Sequence, residues 1–349
     1  MSLSFLQAMP AKCQTTGESN CEVGGCCCSD DPTPAGVMIS HVHKKNEWML
    51  SYRYMGMGMK GLVSGTASVD KESVFVNYLM APDDMRMDMH MLMGMYGITH
   101  RLTVMAMLNY NSNSMQMSMF DAGVHNHPGM GSSQGAMHPM KTSGLGDTRL
   151  HALYSFVNRA SHQVVASAGV NIPTGSIQKK GGGDEMIYAN ERLPYSMQLG
   201  SGTMDVLPGI TYLYQQGKIT FSAQATAVMR MGRNAAGYTL GNESVFGSWA
   251  AYRWLSFFST SLRVEASDAK RIKGYDESMY YFSEPSANPY NYGGKRVNVY
   301  AGIVLQPKSG ILKSQRLSFE YGIPAYQDLN GIQMKQAQTM NASWSMNFN

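Results

Sequence analysis

From Glu47 onward, apolar residues recur at every second position, in runs too long for ordinary strands, and this limits the possible folds more than any other feature. Trp48, Leu50, Tyr52 and Tyr54 alternate with Met49, Ser51, Arg53 and Met55. Met85, Met87, Met89, Met91, Met93 and Met95 alternate with Arg86, Asp88, His90, Leu92, Gly94 and Tyr96. The same period continues through Leu150 to Phe156, Val164 to Ile172 and later segments, ending with Met340, Ala342, Trp344, Met346 and Phe348 on one face. About twelve such runs are found, most of about ten to fifteen residues, where strands of globular domains average about five to six. A tilted strand crossing a bilayer needs roughly nine to eleven.

The connections alternate in length. Those at 97–101, 158–161, 215–217, Trp254 and 308–313 are short, and those at 60–83, 111–144, 174–200, 232–241, 269–291 and 324–335 are long. Short periplasmic turns and long extracellular loops are the layout of a transmembrane β-barrel. The expected architecture is therefore all-β: a closed antiparallel barrel of about twelve strands over residues 47–349, with strand 335–349 beside strand 47–57. Residues 1–46 are expected to form a flexible periplasmic tail, whose first eleven residues read either as the remnant of a signal peptide or as an ordinary terminus.

Composition agrees with a membrane barrel and narrows the function. Only 15% of residues are charged and the net charge is +4, too small and scattered for nucleic-acid binding. No uninterrupted apolar stretch of roughly 18 residues exists to make a membrane helix. Phosphate loops, nucleophile elbows and His-Glu-x-x-His motifs are missing, so no enzyme is expected. The partners expected are the bilayer of a bacterial outer membrane and a small-molecule or metal-ion solute.

The faces of the strands give the next expectations. Trp48, Tyr52, Tyr154, Trp344 and Phe348 should point to lipid. The polar face, with Arg53, Arg86, Asp88, His90, Asp147, Arg149, His151, Arg263, Glu265, Arg296 and Glu320, should line the lumen. On this assignment Met85 to Met95 would face lipid as loosely packing apolar filler.

Soft metal ligands are the remaining signal. The chain has 31 methionines, and thioether and thiolate sulfurs favour Cu(I). Met55, Met57 and Met59 share the face of Arg53, and Met105 and Met107 share that of Thr103, so both sets should face the lumen. Met115, Met117, Met119, His125, His127, Met130, Met137, His138 and Met140 fall in a predicted extracellular loop and form a candidate copper site. Cys13, Cys21, Cys26, Cys27 and Cys28, with His41 and His43 close behind, are open to two readings: a disulfide-tethered tail and a thiolate metal trap. No cofactor is required; copper ions are the candidate cargo. The functional expectation is an outer-membrane channel for small solutes related to copper, the alternative being a copper-sequestering protein with the barrel as scaffold.

Four segments carry a family resemblance: Gly97-Ile98-Thr99-His100-Arg101-Leu102, Gly144-Leu145-Gly146-Asp147, Gly169-Val170-Asn171-Ile172-Pro173-Thr174-Gly175 and Leu199-Gly200-Ser201-Gly202-Thr203-Met204-Asp205. In this order they resemble the bacterial outer-membrane transporter family named after the meta-pathway of phenol degradation, over roughly residues 84–349. The resemblance implies a barrel that passes small molecules. The Met/His-rich stretch from His41 to Met140 is similar to a subgroup found with copper-handling genes. His100 stands where that family's turn has Asp, and the chain ends on Asn349 after Phe348, where barrels usually end on an aromatic residue.

Overall fold

The computed structural model describes residues 32–119, 140–159, 161–181, 191–310 and 312–348. Among these, eleven long strands form one closed antiparallel ring: β1 Trp48–Gly65, β2 Met80–Gly97, β3 Leu102–Met119, β4 Thr148–Asn158, β5 His162–Ile172, β6 Asp205–Gln216, β7 Ile219–Arg230, β8 Glu243–Leu255, β9 Phe258–Ala269, β10 Gly294–Leu305 and β11 Gln315–Phe348. Two short strands, Ala67–Val69 and Met140–Leu145, pair onto β1 and β3. Every long strand pairs with its neighbour in sequence, and β11 closes the ring on β1. Lipid cannot hydrogen-bond an open sheet edge, so closure satisfies every strand at once.

β11 is a hairpin in itself. Its first arm pairs with β10, as in Leu305 opposite Leu317, and its second with β1, as in Trp48 opposite Phe348. The chain reverses at Asn330 and Gly331, where Gly331 takes a left-handed φ of 64°. Ser318 and Ser343 hydroxyls meet across the arms at 2.6 Å. Eleven strands, the last crossing twice, give the twelve crossings expected from the alternation.

The outward face is apolar. Trp48, Tyr52, Tyr154 and Phe348 are exposed, and Trp344 lies on the same outer face, with Tyr52, Leu317 and Phe319. Aromatic pairs collect near the short turns: Trp48 with Tyr96 at 4.4 Å between ring centroids, Tyr154 with Phe156 at 4.9 Å and Tyr252 with Trp254 at 4.7 Å. They make the girdle that anchors a barrel at the membrane boundary. On β8 the two aromatic residues split, with Trp249 buried inside and Tyr252 outside.

β2 corrects the predicted facing. Arg86, Asp88 and His90 point outward, and Met85, Met91, Met93 and Met95 are buried inside. Arg86 stands eleven positions beyond Gly97 at the short turn. That is roughly 25–30 Å of height on a tilted strand, the level of the outer headgroups. Its side chain is 67% exposed and reaches Asp88 at 2.9 Å, with Tyr54 bonded to both. His90 shares a 2.7 Å hydrogen bond with Tyr52. Charge here marks the wet membrane boundary, not the lumen.

Three strands are also longer than predicted. β1, β2 and β3 each have 18 residues and rise beyond the bilayer, absorbing much of the predicted loops 60–83 and 111–144.

Candidate functional site

The inner wall of β1–β3 is rich in thioethers. On β2 every inward position from Met85 to Met95 is methionine. The register sets them against further methionines: Met49, Met55, Met57 and Met59 of β1 stand opposite Met95, Met89, Met87 and Met85. On the other side Met95, Met93 and Met85 stand opposite Met105, Met107 and Met115 of β3. Met115 in turn faces Met140 of the short strand. Directly opposed side chains lie on one face with Cβ atoms about 4.5–5.5 Å apart, so the β2 methionines form an unbroken row along the wall, with Arg53 of β1 and Asn109, Asn111 and Asn113 of β3 beside it at mid-height.

Two dry clusters bound this surface. The one at the extracellular end contains Met80, Met85, Met115, Met117, Met140, Met197 and Met334, with Met59, Met87 and Met119 packed against it. The one at the periplasmic end contains Met49, Met91, Met93, Met95, Met105 and Met107, with Met38, Met55 and Met89 against it. Met55, Met57, Met87 and Met89 between them are half-buried. A cavity of about 300 Å³ opens beside the outer cluster, with Met59, Met85, Met115 and Met334 on one side and Glu243, Arg296 and Tyr292 on the other.

Residues 32–46 do not hang below the barrel, as the expected periplasmic tail would; they thread through its lumen. The Gly36 N–H donates to Glu320 of β11. Arg53 of β1 donates to the Val37 carbonyl at 3.0 Å. Thr211 of β6 and Gln224 of β7 both donate to the Ile39 carbonyl, at 2.7 and 2.6 Å. The His43 N–H donates to Thr103 of β3 at 2.8 Å. Val37 packs on Leu213 and Trp249, on the wall opposite the methionines. Gly36 has no room for a side chain: a Cβ there would lie 2.1 Å from Arg263 Nη2.

Arg263 anchors a cluster of inward ion pairs. Arg263 is 3% exposed and donates from Nε to Glu320 at 3.0 Å, with Glu265 on its other side. Its guanidinium carbon lies 3.8 Å over the Tyr300 ring. Arg149 faces inward opposite Asn171 of β5, and Arg296 lines the cavity. His151 is buried inside, its ring over Gly169.

Three of the four segments that carry the family resemblance, 144–147, 169–175 and 199–205, converge on one network. Asp147 accepts from Asn171 and from the Ser201 N–H at 2.9 Å each, and from the Gly175 N–H at 3.0 Å. Asn171 also donates to Asp205 at 2.9 Å, and Arg230 pairs with Asp205 at 2.6 Å. These contacts tie Gly175 and Ser201 to the strand ends, so Asp147 acts as a clasp and not as free lumen charge. Asn171 and Ser201 were absent from the predicted site, whereas Asp205 and Arg230 were expected on the polar face of their strands; the missed signal was the co-occurrence of the 144–147, 169–175 and 199–205 motifs.

The predicted extracellular copper loop is redistributed. Met115, Met117 and Met119 are strand residues facing inward, and Met140 begins the strand Met140–Leu145. Alternation with Ser114, Gln116 and Ser118 continues the β3 pleat, which sequence reading took for loop. His125, His127, Met130, Met137 and His138, and Cys26, Cys27 and Cys28, lie outside the described residues. His41 and His43 lie in the threaded segment with ring centroids 4.9 Å apart. Among the described residues no three of His, Cys, Asp and Glu gather as a metal-holding group; the soft donors that do gather are methionines.

No family profile matches the chain, and no curated protein matches it in sequence. Among solved structures, it is similar to the COG4313 outer membrane channel from Pseudomonas putida F1, with a TM-score of 0.58 and 14% identity over 88% of this chain and 97% of that one. More distant likenesses are a Pseudomonas aeruginosa FadL homologue, with a TM-score of 0.41 and 10% identity over 87% of this chain and 91% of that one, and the Ralstonia pickettii toluene transporter TbuX, with 0.41 and 11% over 94% and 100%. At these identities the likeness is one of fold: this chain has the architecture of an outer-membrane β-barrel.

Proposed function

We propose that this barrel is an outer-membrane channel for small solutes and that its cargo is copper, taken as Cu(I). The observation that carries the cargo is the inward thioether wall of β1–β3, running from the extracellular cavity to the periplasmic cluster. Thioethers are soft, neutral donors that hold Cu(I) without needing to lose a proton. A row of similar weak sites suits passage, because an ion that binds too tightly at one site does not leave it. The similarity to an outer membrane channel supports the channel half of the reading.

Copper accumulation in cells, with and without the protein, tests the reading. The protein should change the accumulation rate. Replacing Met55, Met57, Met87 and Met89 with leucine should abolish that change while leaving the barrel folded. An unchanged rate in the leucine variant would reject copper as cargo.

A second reading is a copper-holding scaffold, favoured by the segment that fills the lumen. Copper retention by purified protein that shows no conductance across a planar bilayer would select it.

A further inference from the structure

The threaded segment brings its own soft donors to the wall. Met38 packs against the periplasmic methionine cluster, and Ile39 and Val42 belong to that cluster. His43 is fully buried, and its N–H bonds Thr103, two positions from Met105 on the same inward face. Thr103 is opposite Gly97, as Met105 is opposite Met95, so His43 lies at the lower edge of that sulfur pair. Glu47 Oε2 approaches His43 Nδ1 at 3.6 Å, and the Lys44 N–H holds the same carboxylate oxygen at 2.9 Å. A carboxylate beside one imidazole nitrogen is the arrangement that fixes a metal-binding histidine and raises the basicity of its other nitrogen.

We propose that Met38 and His43 of this segment, with Met93, Met95, Met105 and Met107 of the wall, form a Cu(I) site that bridges segment and barrel. The proposal deepens the copper reading and rests on it. It assigns a place where the ion stops, made from two parts of the chain that occupancy would join. Each part alone offers weak donors; together they offer thioethers and one imidazole, a set that Cu(I) accepts at low coordination number. The ion binds only the docked segment with full ligation, so by mass action it stabilises the docked state. Empty, the segment is held by the hydrogen bonds to Arg53, Thr211, Gln224 and Thr103. Filled, it is held by the metal as well. Cu(I) is bound as such, and no electron transfer is involved.

The test uses the full chain in detergent with all five cysteines replaced by serine, which removes competing thiolates. Ag(I), a soft monovalent d10 ion that needs no reductant, is titrated by calorimetry, and Cu(I) by competition with a chromophoric chelator. Hydrogen exchange of residues 36–45 is followed in parallel. Ag(I) should slow that exchange at least tenfold. Leucine at Met93, Met95, Met105 and Met107 should remove the slowing; Met→Leu conserves volume, and heat-modifiable gel mobility checks that the barrel is folded. Met38→Leu with His43→Gln should weaken the site about tenfold and also remove the slowing. Leucine at Met59, Met85 and Met115, in the other cluster, should leave it intact. The proposal is overturned if Ag(I) leaves exchange of the segment unchanged, or if the four-leucine variant still responds. Copper passage is read separately in cells, so loss of passage with the exchange response retained would reject the cargo and not this site.

Discussion

Met95 of β2 and Met105 of β3 stand directly opposite each other inside the barrel, each about 2% exposed. Their backbones share a ladder and their sulfurs share a dry cluster with Met49 and Met93. Packing and ligation can be separated at this pair. Met95→Leu should cost less than about 1.5 kcal/mol, because the swap keeps volume. Met95→Ala should cost about 2–5 kcal/mol, because it leaves a cavity. Urea titration of reconstituted barrels, followed by tryptophan fluorescence, measures both. A leucine penalty as large as the alanine penalty would contradict the packing described.

The carboxylate of Glu320 holds both Arg263 and the Gly36 N–H. Glu320→Ala should therefore act twice. Leaving the buried Arg263 short of its partner should destabilise the barrel by about 3–5 kcal/mol. Releasing Gly36 should loosen the threaded segment and raise ionic conductance in planar bilayers. Gly36→Val separates the two effects, since its side chain meets Arg263 and should raise conductance with a smaller loss of stability.

The outward position of Arg86 is checked by labelling. In the cysteine-free background, Arg86→Cys should react with a bulky, membrane-impermeant maleimide added outside intact cells. Met93→Cys, behind the wall, should not. Equal protection of both would restore the inward assignment of Arg86.

Much of this architecture was legible in the residues, and the failure on β2 has a definite cause. The pairing of Trp48 with Phe348 followed from run length and from alternating connections, which are backbone properties. The facing of β2 was read from charge, and charge has two wet places to go in a barrel: the lumen and the membrane boundary. Methionine gave no help, since it is equally at home against lipid and in a dry core. The short 97–101 turn did hold the answer. It sets Gly97 opposite Thr103 and hence Met95 opposite Met105, a residue already assigned inward from Thr103. The site was harder to see because it joins strands to a segment that has no alternation of its own, so nothing local placed Met38 or His43 in the lumen.

Acid should loosen the point where the segment leaves the barrel. Burial pushes the Glu47 carboxyl up, but its contacts with His43 and the Lys44 N–H outweigh this and hold it below the ordinary carboxylate value. A lowered carboxylate stabilises the folded state above its unfolded pKa, about 4.3 for Glu, and loses that contribution as pH falls through its folded value. Exchange of the Asn46 amide, bonded to the Gly97 carbonyl at 2.8 Å, should show extra opening below about pH 4.3 beyond the intrinsic pH trend. Glu47→Gln should remove that extra step.

The seam between β1 and β11 joins Trp48 to Phe348, 300 positions apart, whereas all the other wall pairings join sequence neighbours. Neighbouring hairpins close small loops and can form early; the seam must bring the chain's two ends together and incurs the largest loop-closure entropy. On this entropy argument the ring should form first as an open, curling sheet whose future inner face is reachable from the side. Residues 32–46 enter immediately before β1, one edge of that sheet, so the segment can be laid against β1–β3 while the gate to the other edge is still open. Assembly in this order needs no threading through a finished pore, and a chain cut short before residue 332 would keep its segment but never shut around it.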